Sequence, residues 1–254
     1  VSTPTLLLRT VRAELVRLRT VRTTWWLLAV ATLMLIGMGA LLGFEAAADP
    51  PEVRGGPAWE TARFIMMPTQ FVFLGLVILA ITSDYATGGI VPSLQWTPRR
   101  SVLFVARTLV TVAVATGVGL LLAIGSSIAT RTTAGSALTL GLGEGHAQDM
   151  VGRVGFVLLC GTTLAVGLGF LLRNTAGALI SVFLLILVLP LLLPVFSDWL
   201  DEVAQRLPGS GAIYLLTEGP DTMTTTSSMV VLAAWAVAAL AAGWVRFART
   251  DANR

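Results

Sequence analysis

Six long apolar runs alternate with short polar stretches along this chain, at about residues 25–44, 64–83, 109–128, 154–172, 178–196 and 229–245. Each is roughly 17–20 residues, close to the length a helix needs to cross the hydrocarbon core of a bilayer, and each is expected to extend by a turn into the interface. No run shows the polar/apolar alternation of a barrel strand. Lipid offers no partner to a free backbone N–H or C=O, so the runs predict helices. Ahead of the first run, residues 5–22 carry a helical periodicity: Leu7, Leu8, Val11, Leu15 and Leu18 fall in one stripe, and Arg9, Arg12, Arg17 and Arg19 point elsewhere. That pattern predicts an amphipathic helix lying on the membrane surface. The competing reading is the basic lead of a signal peptide, with Ala46-Ala47-Ala48 resembling a cleavage site. A signal core has only about 7–15 apolar residues, and the first run is longer, so the helix is expected to be retained. The expected fold class is therefore all-α integral membrane: six transmembrane helices preceded by an interfacial helix, forming one domain over residues 1–254.

Composition agrees with this and sets the orientation. Of the 254 residues, 55% are hydrophobic and 12% charged, with a mean hydropathy of +0.83; a soluble domain carries roughly a quarter charged residues. Every basic side chain is Arg and there is no Lys. Threading the chain through six spans puts twelve Arg on the side of the N-terminus and five on the other. The basic side faces the cytoplasm, so both termini are expected there. The pI near 10.0 would suit nucleic acid, but the Arg residues sit beside the spans, and a nucleic-acid partner is not expected. Trp25, Trp26 and Trp244 fit an inner aromatic belt, and Trp59 and Trp199 an outer one. Arg107 is expected in an extension of the third helix, snorkelling to the surface. Close helix packing is expected at Gly39-x-x-x-Gly43, at Ala165-x-x-x-Gly169 and along Ala234, Ala238 and Ala242. Pro190 and Pro194 interrupt the fifth span, as a static kink or as an outer hinge or valve. The longest outer loop, 197–228, is expected to hold a short helix near Trp199–Leu207 and then a Gly/Pro-rich return.

Candidate chemistry is sparse. The lone Cys160 allows no intrachain disulfide. No span carries an Asp or Glu away from its ends, and the only histidine, His146, lies outside the spans, so intramembrane proteolysis lacks its parts. Glu144, His146 and Asp149 could be drawn as a metal cluster, but in a Gly-rich loop they read as solvated residues, and no metal site is expected. A carrier driven by an ion gradient usually places an ionisable group at mid-membrane, and none is seen. If the protein moves a cargo, the energy comes from elsewhere. A P-loop needs a Lys on the β- and γ-phosphates, so this chain cannot hold one.

The stretch from Ser83 to Arg100 is the longest polar interruption on the Arg-rich side. It opens on Asp84 and Tyr85, passes Gly88-Gly89 and a short apolar middle of Ile90, Val91 and Leu94, and closes on Pro98-Arg99-Arg100. It reads as a docking element, or else as a solvated connection with an Arg stop signal.

Three features taken together resemble the membrane subunit of a bacterial ABC type-2 exporter, of the short permease kind common in actinobacteria. They are the basic helix ending Ala13-Glu14-Leu15-Val16-Arg17-Leu18-Arg19-Thr20-Val21-Arg22-Thr23-Thr24-Trp25-Trp26, the segment Ile81-Thr82-Ser83-Asp84-Tyr85-Ala86-Thr87-Gly88-Gly89-Ile90, and Thr97-Pro98-Arg99-Arg100. By topology the resemblance spans nearly the whole chain. Two departures stand out: relatives usually have Glu where Asp84 stands, and often Lys in the first helix. The resemblance implies a dimer of six-helix permeases, identical or related, in a bacterial plasma membrane. Two copies of a separate ATPase subunit would bind ATP and Mg, and this chain itself would hold no cofactor and be no enzyme. Residues 5–22 would be the elbow helix. The loop 84–100 would carry the coupling helix, with Asp84, Tyr85, Gly88, Arg99 and Arg100 transmitting nucleotide-driven closure. The cargo path would follow the second and fifth spans, at Met66, Met67, Gln70, Phe71, Phe73, Phe183 and Leu187. Met and Phe stripes also serve as plain packing or lipid-facing residues. The cargo implied is hydrophobic or amphiphilic: a drug, a peptide or a lipid-like molecule. The rival readings are a non-transporting membrane sensor or assembly anchor, and an ATP-independent channel.

Overall fold

The computed structural model describes residues 3–48, 56–90, 92, 95, 99–140, 146–217 and 223–249. The described residues form helices, apart from turns and one short parallel pairing of Pro57 with Thr139. Helix α1 covers Thr3–Thr20 and breaks at Val21. The next helices are α2 (Arg22–Ala48), α3 (Ala58–Ala86), α4 (Arg100–Ala134), α5 (His146–Leu172), α6 (Thr175–Val195), α7 (Asp198–Ala204), α8 (Pro208–Thr217) and α9 (Thr225–Arg249). Six of these, α2 to α6 and α9, are long and apolar enough to cross a membrane. They occupy the six runs the sequence marks. The largest difference is at α4, which begins nine residues before Leu109 and reaches Ala134.

Helices α3 and α5 form the axis and bury most of their apolar length, whereas α2, α6 and α9 bury less than a third. Phe73, Leu74, Ile78 and Ile81 of α3 meet Leu158, Leu164 and Phe170 of α5 in the core. Helix α4 packs on both; α2 lies on α4 and α3, α6 on α3 and α5, and α9 on α5. In lipid, helices associate through close packing rather than through the hydrophobic effect, and small residues set the contacts. The Gly39/Gly43 pair serves this way: a Cβ on Gly43 would overlap the Thr130 carbonyl of α4. Beside it, α2 opens into a π turn at Leu33–Gly37, and Ser126 of α4 donates to the Leu35 carbonyl at 2.7 Å.

Two expectations are corrected and a third is refined. Helix α9 does not pack through Ala234, Ala238 and Ala242. Its buried face is Leu232, Ala236, Ala239, Gly243 and Phe247, because Gly243 and Gly167 of α5 let the two backbones touch there. Trp59 is not in an outer belt but buried, with the Arg63 guanidinium 5.1 Å from its ring centre. The Gly/Pro-rich stretch after the short helix α7 forms a further helix over Pro208–Thr217, α8, nested against α3, α5, α6 and α9.

Helix α8 sits against the break in α6. Pro190 cannot donate to the Ile186 carbonyl, and the chain answers with a π turn at Leu184–Val188, one α turn and a 3-10 turn at Leu193–Val195 that contains Pro194. Gly209 of α8 lies directly on Ile186, where any Cβ would collide with that carbonyl. Pro190 is buried, so the proline pair lies in a packed junction.

Candidate functional site

At the Arg-rich end of the bundle, α1, α3 and α4 meet through four charged side chains. Glu14 and Arg17 lie on consecutive turns of α1, Asp84 is in the last turn of α3, and Arg107 is two turns into α4. Arg107 does not snorkel: its side chain is 1% exposed. Its Nε donates to Glu14 Oε1 at 2.8 Å, and its Nη2 donates to Asp84 Oδ2. Arg17 Nη1 donates to Asp84 Oδ2 at 3.0 Å and to Glu14 Oε2 at 3.2 Å, and its Nη2 donates to the Ala80 carbonyl of α3. Two cations and two carboxylates thus neutralise each other in a site shielded from solvent. Surface snorkelling serves an isolated Arg; one with two carboxylates in reach is held more firmly by charge-assisted hydrogen bonds. Burial, with Arg107 nearby, lowers the pKa of Arg17 against the pull of Glu14 and Asp84. A guanidinium so placed remains cationic at physiological pH.

This arrangement sets the azimuth of α1. The face turned to the bundle is Thr10, Glu14 and Leu18, and the Leu stripe is split: Leu18 is buried while Leu8 and Leu15 are exposed. Ion pairing, not hydrophobic periodicity, decides which side of α1 docks. Arg9 and Arg12 remain exposed.

The residues expected to serve coupling divide between inward and outward positions. Asp84 faces into the cluster. Tyr85 is half-buried, and the Arg173 guanidinium stands 5.3 Å from its ring centre. The Tyr85 hydroxyl is buried with no hydrogen-bond partner among the described residues. Gly88 is exposed at φ +72°, a conformation that favours glycine, and turns the chain out of α3. Ile90 folds back and is buried, while Pro92 and Gln95 are exposed. Residues 91, 93, 94 and 96–98 lie outside the described residues. Arg99 is exposed at the start of α4. Arg100 donates to the Ala248 carbonyl at 3.1 Å and the Phe247 carbonyl at 3.4 Å, at the C-terminal end of α9. Arg173, itself at φ +54° in the tight α5–α6 turn, donates to the Arg246 carbonyl at 3.2 Å. Two guanidinium groups therefore meet the last turn of α9, where the helix dipole favours positive charge. Below them, Phe104, Phe170, Trp244 and Phe247 form an aromatic cluster with ring centres 4.7–6.0 Å apart.

The residues expected along a cargo path do not share one surface. Met66, Gln70 and Phe73 are buried within this chain, Phe73 against Gly119 of α4. Met67, Phe71 and Leu187 are partly exposed and Phe183 is exposed, with Phe71 and Phe183 in an edge-to-face contact at 5.7 Å. Gln70 donates to the Met67 carbonyl at 2.9 Å, and its Oε1 is buried with no partner among the described residues. Of the residues weighed as a metal cluster, Asp149 pairs with Arg153 at 2.7 Å and Glu144 lies outside the described residues.

Three of the cluster's four members, Glu14, Arg17 and Arg107, are absent from the sequence-based site, and the local signal concerns the two on α1. The signal for them was a carboxylate in a helix otherwise rich in Arg, one turn ahead of Arg17. Comparison with protein-family models and with curated proteins finds no match for this chain.

Proposed function

We propose that this chain is the permease subunit of an ATP-driven exporter of the ABC type-2 kind, working with a separate ATPase subunit that docks on the loop between α3 and α4. The observation that carries this reading is the Glu14–Arg17–Asp84–Arg107 cluster. It ties the helix ahead of the first span to both ends of that loop, so a force on the loop is delivered to three helices at once. A plain connection between two spans needs no such brace. The lack of any carboxylate within the described spans away from their ends, and of any Lys in the chain, supports an external energy source.

In this mechanism α1 lies at the cytoplasmic surface as a lever. Asp84 and Arg107 are its fulcrum, and the exposed turn at Gly88, with Arg99, is the docking face. Closure of two ATPase subunits would push this foot. The push would reach α9 through Arg100 and the α5–α6 turn through Tyr85 and Arg173. Two protomers in a bacterial plasma membrane would rock against each other, with Phe71 and Phe183 on the exposed α3/α6 side toward the cargo. The Pro190/Pro194 junction, clamped by α8, would act as the outer valve. The cargo would be hydrophobic or amphiphilic.

The test is co-expression with a P-loop ATPase encoded beside this chain, followed by reconstitution in nanodiscs. Assembly is expected to change the ATPase rate, and Asp84→Ala is expected to uncouple hydrolysis from cargo efflux without loss of membrane insertion. If no nucleotide-binding subunit assembles with the chain, or flux through liposomes needs no ATP, the reading is wrong.

A further inference from the structure

The α1–α2 elbow leaves an apolar groove on the side away from α3. It holds about 370 Å³ and is walled by Leu15 and Leu18 of α1, Leu28 of α2 and Val114 of α4, with Arg19 and Trp25 at its mouth. A second hollow, of about 400 Å³, opens next to it between Arg22, Trp25 and Trp26. Trp25 belongs to both, and its indole is pinned by a 2.8 Å hydrogen bond from Nε1 to the Arg19 carbonyl. Arg19 and Arg22 are exposed and have no carboxylate partner among the described residues. Between them the chain restarts as a helix at Arg22. Its cap residue, Val21, makes no side-chain cap hydrogen bond, so the positive end of α2, at Arg22, is left without a side-chain acceptor.

The geometry points to a site for one anionic phospholipid, its phosphate held by Arg19, Arg22 and the first turn of α2, and an acyl chain laid in the groove. Charge complementarity and position select this occupant. The mouth is cationic and ringed by Trp, the composition of a headgroup-level belt. The groove floor runs to Val114, on a helix whose outer face carries exposed Val105, Leu109 and Leu121. A ligand filling both parts must join an anion to a long apolar tail, and a bilayer supplies such molecules at high local concentration. Zwitterionic lipid fits the groove but does not answer the uncompensated charge. The seated tail contacts Leu15 and Leu18 and braces α1 against Val114 of α4. The inference does not depend on ATP coupling.

The test uses the full chain purified in mild detergent. Phosphatidylglycerol and phosphatidylcholine are added in parallel, and bound lipid is counted by native mass spectrometry alongside a thermal melt. Wild type is expected to retain one phosphatidylglycerol in preference to phosphatidylcholine and to melt higher only with the former. Arg19→Gln/Arg22→Gln is expected to weaken that retention about thirty-fold while leaving the lipid-free melt unchanged, since each interfacial Arg contributes about three-quarters of a decade and the pair about one and a half decades. Arg9→Gln/Arg12→Gln, two exposed Arg on the same helix away from the groove, is expected to change nothing. Equal retention of the two lipids would overturn the inference. So would an Arg9/Arg12 variant that loses as much phosphatidylglycerol as the Arg19/Arg22 variant, because the attraction would then be diffuse and not a site.

Discussion

Arg107→Met removes the one fully buried cation of the cluster while keeping its volume roughly filled. Arg107 bridges Glu14 at 2.8 Å and also Asp84, and the two carboxylates are themselves only 10% and 16% exposed. Without it, both share the remaining Arg17, which is 25% exposed. Breaking a buried ion pair by deleting one partner costs about 3–5 kcal/mol, because the other charge stays buried and uncompensated. For a chain of this size about 1 kcal/mol corresponds to roughly 2–4 °C in Tm, so a fall of about 6–20 °C is expected. The cheapest relief, however, is for α1 alone to swing out, which shifts part of the loss into local opening. The assay therefore pairs a fluorescence-detected melt of the full chain in nanodiscs with limited trypsin digestion at Arg12 and Arg19. A melt within about 2 °C of wild type together with unchanged digestion would refute the buried-cluster reasoning, as it would place the pairs among ordinary solvated ion pairs. The companion variant Glu14→Leu/Arg17→Met/Asp84→Leu/Arg107→Met replaces all four charges by apolar groups. It is expected to melt near or above wild type, since such replacements are neutral or stabilising by about 1–4 kcal/mol. A stable variant that no longer couples ATP hydrolysis to efflux would assign the cluster to transmission. Retained coupling would reduce it to a structural staple.

Three further outcomes follow from single contacts. Tyr85→Phe is expected to leave the melt unchanged or slightly raised, because the hydroxyl is buried without a partner among the described residues, whereas Tyr85→Leu also loses the Arg173 contact and about 0.5–2 kcal/mol. Gly167→Ala puts a methyl group into the Ala239 backbone, and forcing α5 from α9 is expected to cost about 1–3 kcal/mol, read as a lower Tm. Gln70→Leu removes a buried Oε1 that has no partner among the described residues and is expected to raise stability by about 1 kcal/mol in a melt. If transport falls while the melt rises, Gln70 serves the cargo; if both hold, it only packs.

What the sequence discloses and what it hides divide along a physical line. The six spans are legible because bilayer thickness fixes their length and hydropathy is a property of the run itself. The azimuth of each helix is much less legible, since lipid and protein core are equally apolar and a span can turn either face to either one. Hence Ala234, Ala238 and Ala242 look like a packing stripe, and the true contact runs through Ala239 and Gly243. The better signal is that Gly243 is the one glycine of α9, as Gly167 and Gly169 are of the buried end of α5. Helix α8 is hidden for a related reason. Pro208, Gly209 and Gly211 read as turn residues, but Pro is tolerated at a helix start, and Gly209 is there to admit the Ile186 carbonyl.

The site poses a harder problem than the spans, and Arg107 shows why. From the sequence it is an Arg near a helix end, for which snorkelling is the default. Its actual direction depends on Glu14, 93 residues away, and Asp84, 23 residues away, and no local periodicity links the three. The same pairing changes what Asp84 means. Read along the chain, it opens a docking loop; in the fold, it is turned inward and holds the root of that loop to α1 and α4. A partner pressing on the loop would then bear on Gly88 and Arg99 and not on Asp84 itself. Loss of Asp84 should therefore loosen what the loop pushes against while leaving the docking face in place. Binding of an ATPase that survives Asp84→Ala while its coupling does not is the signature of a fulcrum, and binding that fails with coupling would make Asp84 part of the contact.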